Sequence, residues 1–240
     1  SKSQSSVDYA MLEYCIREDL KMKRSRMMAV LDPIKLVIDN YPEGQVEYLD
    51  AANNLENEEL GSRKIPFCRE LYIERDDFME EPPKKYFRLF PGNEVRLMHA
   101  YFVKCESFVK DENGKVVEVH CTYDPETKAG SGFAGRKVKG TIHWVPAPYA
   151  VDAEVRLYEN LIDEEKGVYN EDGSMNINPD SLTVTQAKVE PALAGAEAYE
   201  SFQFVRNGFF CVDAKDSRPD ALVFNRIVSL KSSFKLPKQN

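Results

Sequence analysis

Arginine, glutamine and aromatic residues fall together at three places in this 240-residue sequence, and they offer one kind of chemistry. A guanidinium is a rigid fork of donors that bonds base edges or phosphates and lies flat on a ring. Single-stranded RNA loops are read in this way, with bases splayed into pockets. Arg26 stands directly behind the basic run Lys21-Met22-Lys23-Arg24-Ser25 and opens an apolar stretch. Arg88 and Arg96 lie in YFRLF and EVRLM, joined by Pro91-Gly92-Asn93; period-2 alternation predicts Arg96 and Met98 on one strand face, Val95 and Leu97 on the other. Gln203 and Arg206 lie in SFQFVRNGFF, where an Asn207-Gly208 turn would leave Arg206 at a hairpin tip, with Phe202 and Phe204 toward the core and Gln203 away from it. An isolated strand arginine is usually a solvated surface residue, so position alone does not select a reader.

Other chemistries fare worse. Clustered acids such as Glu56 to Glu59 and Asp163 to Glu165 sit in polar stretches, whereas acid–base work needs pKa-shifted groups in a concave site. His99, His120 and His143 lack ligand-like spacing, and Cys15, Cys68, Cys105, Cys121 and Cys211 form an odd set without CxxC. Reduced, mostly buried thiols are expected, with no metal and no catalytic residue. Lys21 to Ser25 superficially resembles the KMSKS loop that grips ATP in class I synthetases. It lacks an HxGH-type partner and a Gly-rich strand-to-helix turn, and reads as a basic linker. The net charge of −8 argues against a non-specific nucleic-acid coat but allows a reader with few, concentrated arginines. No apolar run reaches the roughly 20 residues of a membrane span, and the polar start lacks a signal-peptide core. A cytoplasmic chain is expected, with neither membrane nor DNA as partner.

The elements that must hold these residues are mostly strands. Val7 to Lys23 reads as a helix, with Tyr9, Leu12, Ile16 and Leu20 as its apolar stripe and Arg17, Glu18 and Asp19 off it. MMAVL and IKLVI follow as short β runs split by Asp32-Pro33. Further strands are predicted at 69–74, 85–90, 94–103, 107–109, 116–123, 137–145, 153–158, 182–189, 202–212 and 222–230, with a hairpin turn at Asp111-Glu112-Asn113-Gly114. Segments 124–135 and 163–179 read as loops. Many short strands with little helical periodicity predict barrels or sandwiches. A boundary near Pro146 to Pro148 would make two β units, and a diverged duplication is compatible with them although no residue-level repeat is visible.

Against this reading stands a specific resemblance. Cys15 to Tyr41 (CIREDLKMKRSRMMAVLDPIKLVIDNY) resembles the junction in glutaminyl-tRNA synthetases where the catalytic half meets the anticodon-binding half. The likeness continues through Gly61-Ser62-Arg63, Ile65-Pro66-Phe67, Tyr101, Cys121 to Asp124, and Gly135-Arg136-Lys137-Val138-Lys139-Gly140 to His143-Trp144-Val145. It then runs through Arg156-Leu157-Tyr158, Phe202-Gln203-Phe204, Gly208 to Cys211 and Phe224-Asn225-Arg226; only 124–135 and 163–179 are poorly covered.

The resemblance implies an all-β fold of two antiparallel barrels of the ribosomal-protein-like type with exchanged N-terminal strands, preceded by a short helix. It implies a helical linker over 1–24 from an absent catalytic domain, a first barrel over 25–147 and a second over 148–240, sharing the strand around 26–40. It implies tRNA-Gln as partner and no cofactor in this chain, ATP belonging to the absent domain of a glutamine-ligating enzyme. Carried over by residue, Arg26, Gln203 and Arg206 would form the pocket for the central anticodon uridine. Arg88 would read the third base, a guanosine, and Arg96 would contact the first base with Lys85 nearby. Met98 and Phe87 depart from the pattern, where a second arginine and a lysine can stand. Arg136, Lys137 and Lys139 are either phosphate contacts or an ordinary exposed strand around Trp144. A stand-alone ribosomal-type barrel, which binds 5S RNA, and the same region of an archaeal or eukaryotic-type glutamyl-tRNA synthetase remain the other readings.

Overall fold

The computed structural model describes residues 8–162 and 166–231. Position 7, the expected helix start, and positions 163–165 of the expected loop lie outside them. Helix α1 (Tyr9–Lys23) is capped by Asp8, whose side chain accepts from the Ala10 N–H, and ends with Lys21 and Lys23 against its carbonyl end. The chain continues through β1 (Arg26–Met27), β2 (Ala29–Val30), β3 (Pro33–Ile38), β4 (Glu47–Ala52), β5 (Ser62–Phe67), β6 (Glu70–Glu74), β7 (Glu94–Leu97), β8 (Phe102–Lys110) and β9 (Val116–Asp124). It ends with β10 (Thr141–Ile142), β11 (Trp144–Pro146), β12 (Val151–Tyr158), β13 (Leu182–Val189), β14 (Ser201–Phe204), β15 (Gly208–Val212) and β16 (Leu222–Ser229).

These strands form two seven-stranded, nearly closed sheets and the separate hairpin β4–β5. The first barrel runs β10-β7-β8-β9-β3-β6-β11, the second β1-β14-β15-β16-β12-β13-β2. The two orders are the same topology. β3 pairs parallel with β9 as β12 does with β16, and the short parallel pair β10·β7 matches β1·β14. The second barrel is closed by a segment that precedes the whole first barrel in the chain, the first by the segment that follows β9. Residues 26–30 sit at both edges of the second sheet and are interrupted only by Met28, while 141–146 do the same for the first, interrupted only by His143. Closure removes the open edges that would otherwise template aggregation.

The core of the first barrel is an aromatic cluster in which Phe67 packs edge-on against Tyr41 and Trp144. Phe204, Phe210 and Phe224 fill the second. Helix α1 lies on the second barrel through Ile16 and Leu20, against Phe209, Ile227 and Val228. Two of its expected stripe residues, Tyr9 and Leu12, are exposed. Arg17, expected off the stripe, is instead buried because its Nε donates to the Ser229 carbonyl, 2.5 Å away.

Several strand expectations need correction. The run 94–103 is not one strand. His99 has φ +62 and the Ala100 N–H bonds to the Leu97 carbonyl, so the chain reverses at 98–101. Met98 therefore leaves the Arg96 face and packs against the core. Segment 85–90 is an irregular loop, since Lys85 has φ +69 and only Leu89 makes a bridge, to Phe78. The hairpin β4–β5 was missed, its half-polar sequences lacking a clear period. At 205–207 the positive φ of +67 falls on Arg206 itself rather than on Asn207, so the arginine is the strained residue of the turn. Gly208 is needed for close approach, because a Cβ there would lie 2.5 Å from the Val228 carbonyl oxygen.

Candidate nucleic-acid interface

Arg26 and Gln203 are direct partners in the β1·β14 register, although 177 positions separate them in the chain. The Gln203 N–H bonds to the Ser25 carbonyl at 2.9 Å and the Val205 N–H to the Met27 carbonyl at 2.9 Å, which fixes the strand pair. Both side chains line a cleft of about 340 Å³ with Arg17, Lys21, Glu56 and Phe209. Glu56 accepts from Arg26 Nη2 at 2.7 Å and pairs with Lys21 at 3.0 Å; these cations hold its carboxyl below the ordinary range. Arg26 Nε, Gln203 Oε1 and Arg17 Nη1 are buried without a hydrogen-bond partner among the described residues. Unmatched buried donors and an acceptor are costly in a finished core, and they are what a polar ligand edge can satisfy.

Arg206 follows Gln203 by three residues on the same hairpin, but its side chain is engaged elsewhere. Its guanidinium crosses to the first barrel and grips the fully buried Asp77, Nη1 to Oδ2 at 2.5 Å and Nη2 to Oδ1 at 2.7 Å. That carboxylate contact raises the Arg206 pKa against the opposing effect of burial. Arg88 reaches the same carboxylate, Nε to Oδ1 at 3.3 Å, and donates from Nη1 to the Asp76 carbonyl at 3.0 Å. Tyr86 donates to that same carbonyl; burial first, then the Asp77 charge, pushes its hydroxyl up to about 12. The arginines expected at the central and third bases thus meet at a residue the sequence did not single out. Nothing in the string Glu74-Arg75-Asp76-Asp77 distinguished Asp77 from its solvated neighbours.

Behind Arg206 lies the seam of the two closures. His143 Nε2 faces the Ala29 carbonyl at 2.9 Å and Glu74 Oε1 at 3.3 Å, while Nδ1 faces Arg206 Nη1 at 3.2 Å. These partners fit the tautomer carrying its proton on Nε2. Burial pushes the Glu74 carboxyl up, but His143 and the Leu31 and Asp32 N–H groups outweigh it, and the net shift is downward. On the far side of Met28, Glu190 is buried against Arg63 at 2.7 Å and accepts from the Met28 N–H at 3.2 Å.

The remaining expected residues are differently placed. Arg96 is turned onto its own chain, with Nη1 donating to the Ala100 and Thr127 carbonyls at 3.3 and 3.2 Å and its guanidinium 4.3 Å over Phe102; burial lowers its pKa. Arg136 forms ion pairs with Glu94 and Asp124, which cancel most of its charge. Lys137 and Lys139 border a groove of about 420 Å³ with Tyr86, Phe87 and Phe90, and Lys139 Nζ lies 5.1 Å over the exposed Phe87 ring. Gly140 is required there because a Cβ would meet the Phe87 carbonyl oxygen at 1.8 Å. Lys85 is exposed on the same loop.

Two family models match this chain, over residues 25–124 and 141–213, and both describe the anti-codon binding domain of class I tRNA synthetases (E and Q). Glutamine--tRNA ligases of Clostridium perfringens, Clostridioides difficile and Bradyrhizobium diazoefficiens are 58%, 57% and 50% identical to it over 98% of its length. The chain spans 43%, 43% and 42% of those relatives respectively. The chain belongs to the anticodon-binding family of the class I tRNA synthetases for glutamate and glutamine.

Proposed function

We propose that this chain reads the anticodon of tRNA-Gln as part of a glutamine–tRNA ligase, whose ATP-dependent joining of glutamine to tRNA belongs to residues outside it. The observation that carries the reading is the Arg26–Gln203 pair, register partners that line one cleft and hold a buried Nε and Oε1 without hydrogen-bond partners among the described residues. A uracil edge offers what they lack, a carbonyl acceptor for the guanidinium and an N–H donor for the amide oxygen. A cytosine presents an amino donor and a bare ring nitrogen there, leaving buried groups unmatched at about 1–3 kcal/mol per wrong base. Arg88 suits a guanosine as the third base, since the Asp76 and Asp77 contacts fix its plane and leave Nη2 outward. Lys137 and Lys139 border the groove of the exposed Phe87 ring, two residues after Lys85, where a first base can stack beside phosphate-seeking ammonium groups. Arg96 supports that region from beneath.

Titration of this chain with tRNA-Gln, tRNA-Glu and 5S RNA at one fixed salt concentration tests the reading. Tightest binding is expected for tRNA-Gln, with Arg26→Ala weakening it and flattening the preference for uridine at the centre. Preference for either other RNA overturns the assignment, and an unchanged base preference in Arg26→Ala overturns the pocket.

A further inference from the structure

We infer that Asp77 is a positioning residue that couples recognition of the central and third anticodon bases. This rests on the function proposed above. Asp77 is fully buried and meets two arginines: Oδ2 accepts from Arg206 Nη1 and Oδ1 from Arg206 Nη2, while Arg88 Nε makes an ion pair with Oδ1 at 3.3 Å. One arginine comes from the hairpin of the second barrel, the other from the 85–90 loop of the first, and no regular strand fixes either. Arg206 occupies a left-handed backbone position that a β-carbon disfavours, so the Asp77 fork is what holds its plane. Arg88, in a loop bridged only at Leu89, is fixed by Asp77 and the Asp76 carbonyl. A buried carboxylate left with one arginine instead of two is less well compensated, so each arginine holds the other's anchor in place. A base that draws either guanidinium away therefore changes what the other pocket can bind. Coupling of this kind requires a shared element that both sites bias, and Asp77 is that element.

The test uses the full chain and four anticodon stem-loops: the glutamine sequence, a central U→C change, a third-position G→A change, and both together, at one salt concentration. Removing a negative charge strengthens binding of every RNA alike, so the readout is the ratio of affinities. In the unaltered chain the two changes together are expected to cost less than the product of their separate costs. Asp77→Asn keeps the shape and one acceptor. It is expected to lower both single-change ratios about tenfold and to make the two changes multiply independently. Arg206→Ala is expected to lower the third-base ratio, and Arg88→Ala the central ratio, although neither is replaced in the pocket being read. If the unaltered chain discriminates but folded Asp77→Asn keeps both ratios, or loses only one, the coupling is overturned and the function stands. Should Asp77→Asn fail to fold, unchanged cross-ratios in the two arginine variants overturn the coupling equally. No discrimination by the unaltered chain overturns both readings.

Discussion

The two barrels repeat one topology, and the same position in each has been used differently. In the second, the closing strand carries Arg26 and its register partner is Gln203; in the first, the closing strand carries Thr141 and its partner is Arg96. Three residues beyond each partner the chain enters a left-handed turn residue, Arg206 in one case and His99 in the other. In the second barrel Arg26 and Gln203 line a cleft, and each keeps a buried polar atom without a hydrogen-bond partner among the described residues. In the first, Arg96 is spent on the chain's own carbonyls and on Phe102. The residues between the halves of each closing segment contrast in the same way. Met28 is fully buried hydrocarbon, whereas His143 bridges the Ala29 carbonyl, Glu74 and Arg206 and so ties the barrels together. Equivalent backbone does not make equivalent chemistry.

This contrast can be broken experimentally, and the largest effect is expected at Met28. Truncating it in Met28→Ala removes a fully buried side chain and should cost about 2–5 kcal/mol in urea unfolding. An effect below about 1 kcal/mol would mean that the closure is not a packed core element. His143→Phe should cost about 1–3 kcal/mol, because the Ala29 carbonyl and the Arg206 donor lose a buried partner; a neutral outcome would show that the seam is wet. Arg96→Ala is expected to lower stability by about 1 kcal/mol while leaving base preference intact. Arg26→Ala should do the reverse, since its ion pair is to the exposed Glu56 and is screened by solvent. Equal behaviour of these two variants in paired unfolding and RNA titrations would erase the distinction between the barrels.

The smallest effect lies outside both closures. His120 sits between Asp39 at 2.9 Å and Glu118 at 2.8 Å, and the Asp39 hydrogen bond is the main cause of its raised pKa. A histidine raised on folding stabilises most below its unfolded pKa of about 6.5, and the contribution fades as pH climbs through the higher folded value. Stability should therefore fall slightly from pH 6 to 8. Asp39→Asn should remove that slope and shift the His120 NMR titration downward; an unchanged midpoint would show that the contact is absent in solution.

Much of this molecule was legible before any coordinates. The alternation in SFQFVRNGFF correctly sent Phe202 and Phe204 inward and Gln203 toward the cleft, because period-2 geometry is local. Asp111 to Gly114 made the expected turn, with φ +78 on Gly114. Strand limits at 85–90 and 94–103 were misread because Lys85 and His99 take positive φ without being glycine, a choice imposed by their surroundings. Of the expected trio, Arg26 and Gln203 became register partners, whereas the Arg206 guanidinium is held by Asp77, a buried charge that arrives from the other barrel.

By itself the sequence determined the all-β character, the turn at Asp111 to Gly114 and the face of β14 on which Gln203 lies, since alternation, glycine and proline act over a few residues. Its motifs also determined the family. Tertiary structure alone decided which arginines are free and which are already used. That choice depends on Asp77, Glu56, Phe102 and the Thr127 carbonyl, groups brought within a few ångströms only when the barrels fold and close. An arginine's role is set by the strongest acceptor in reach, and reach is a property of the fold.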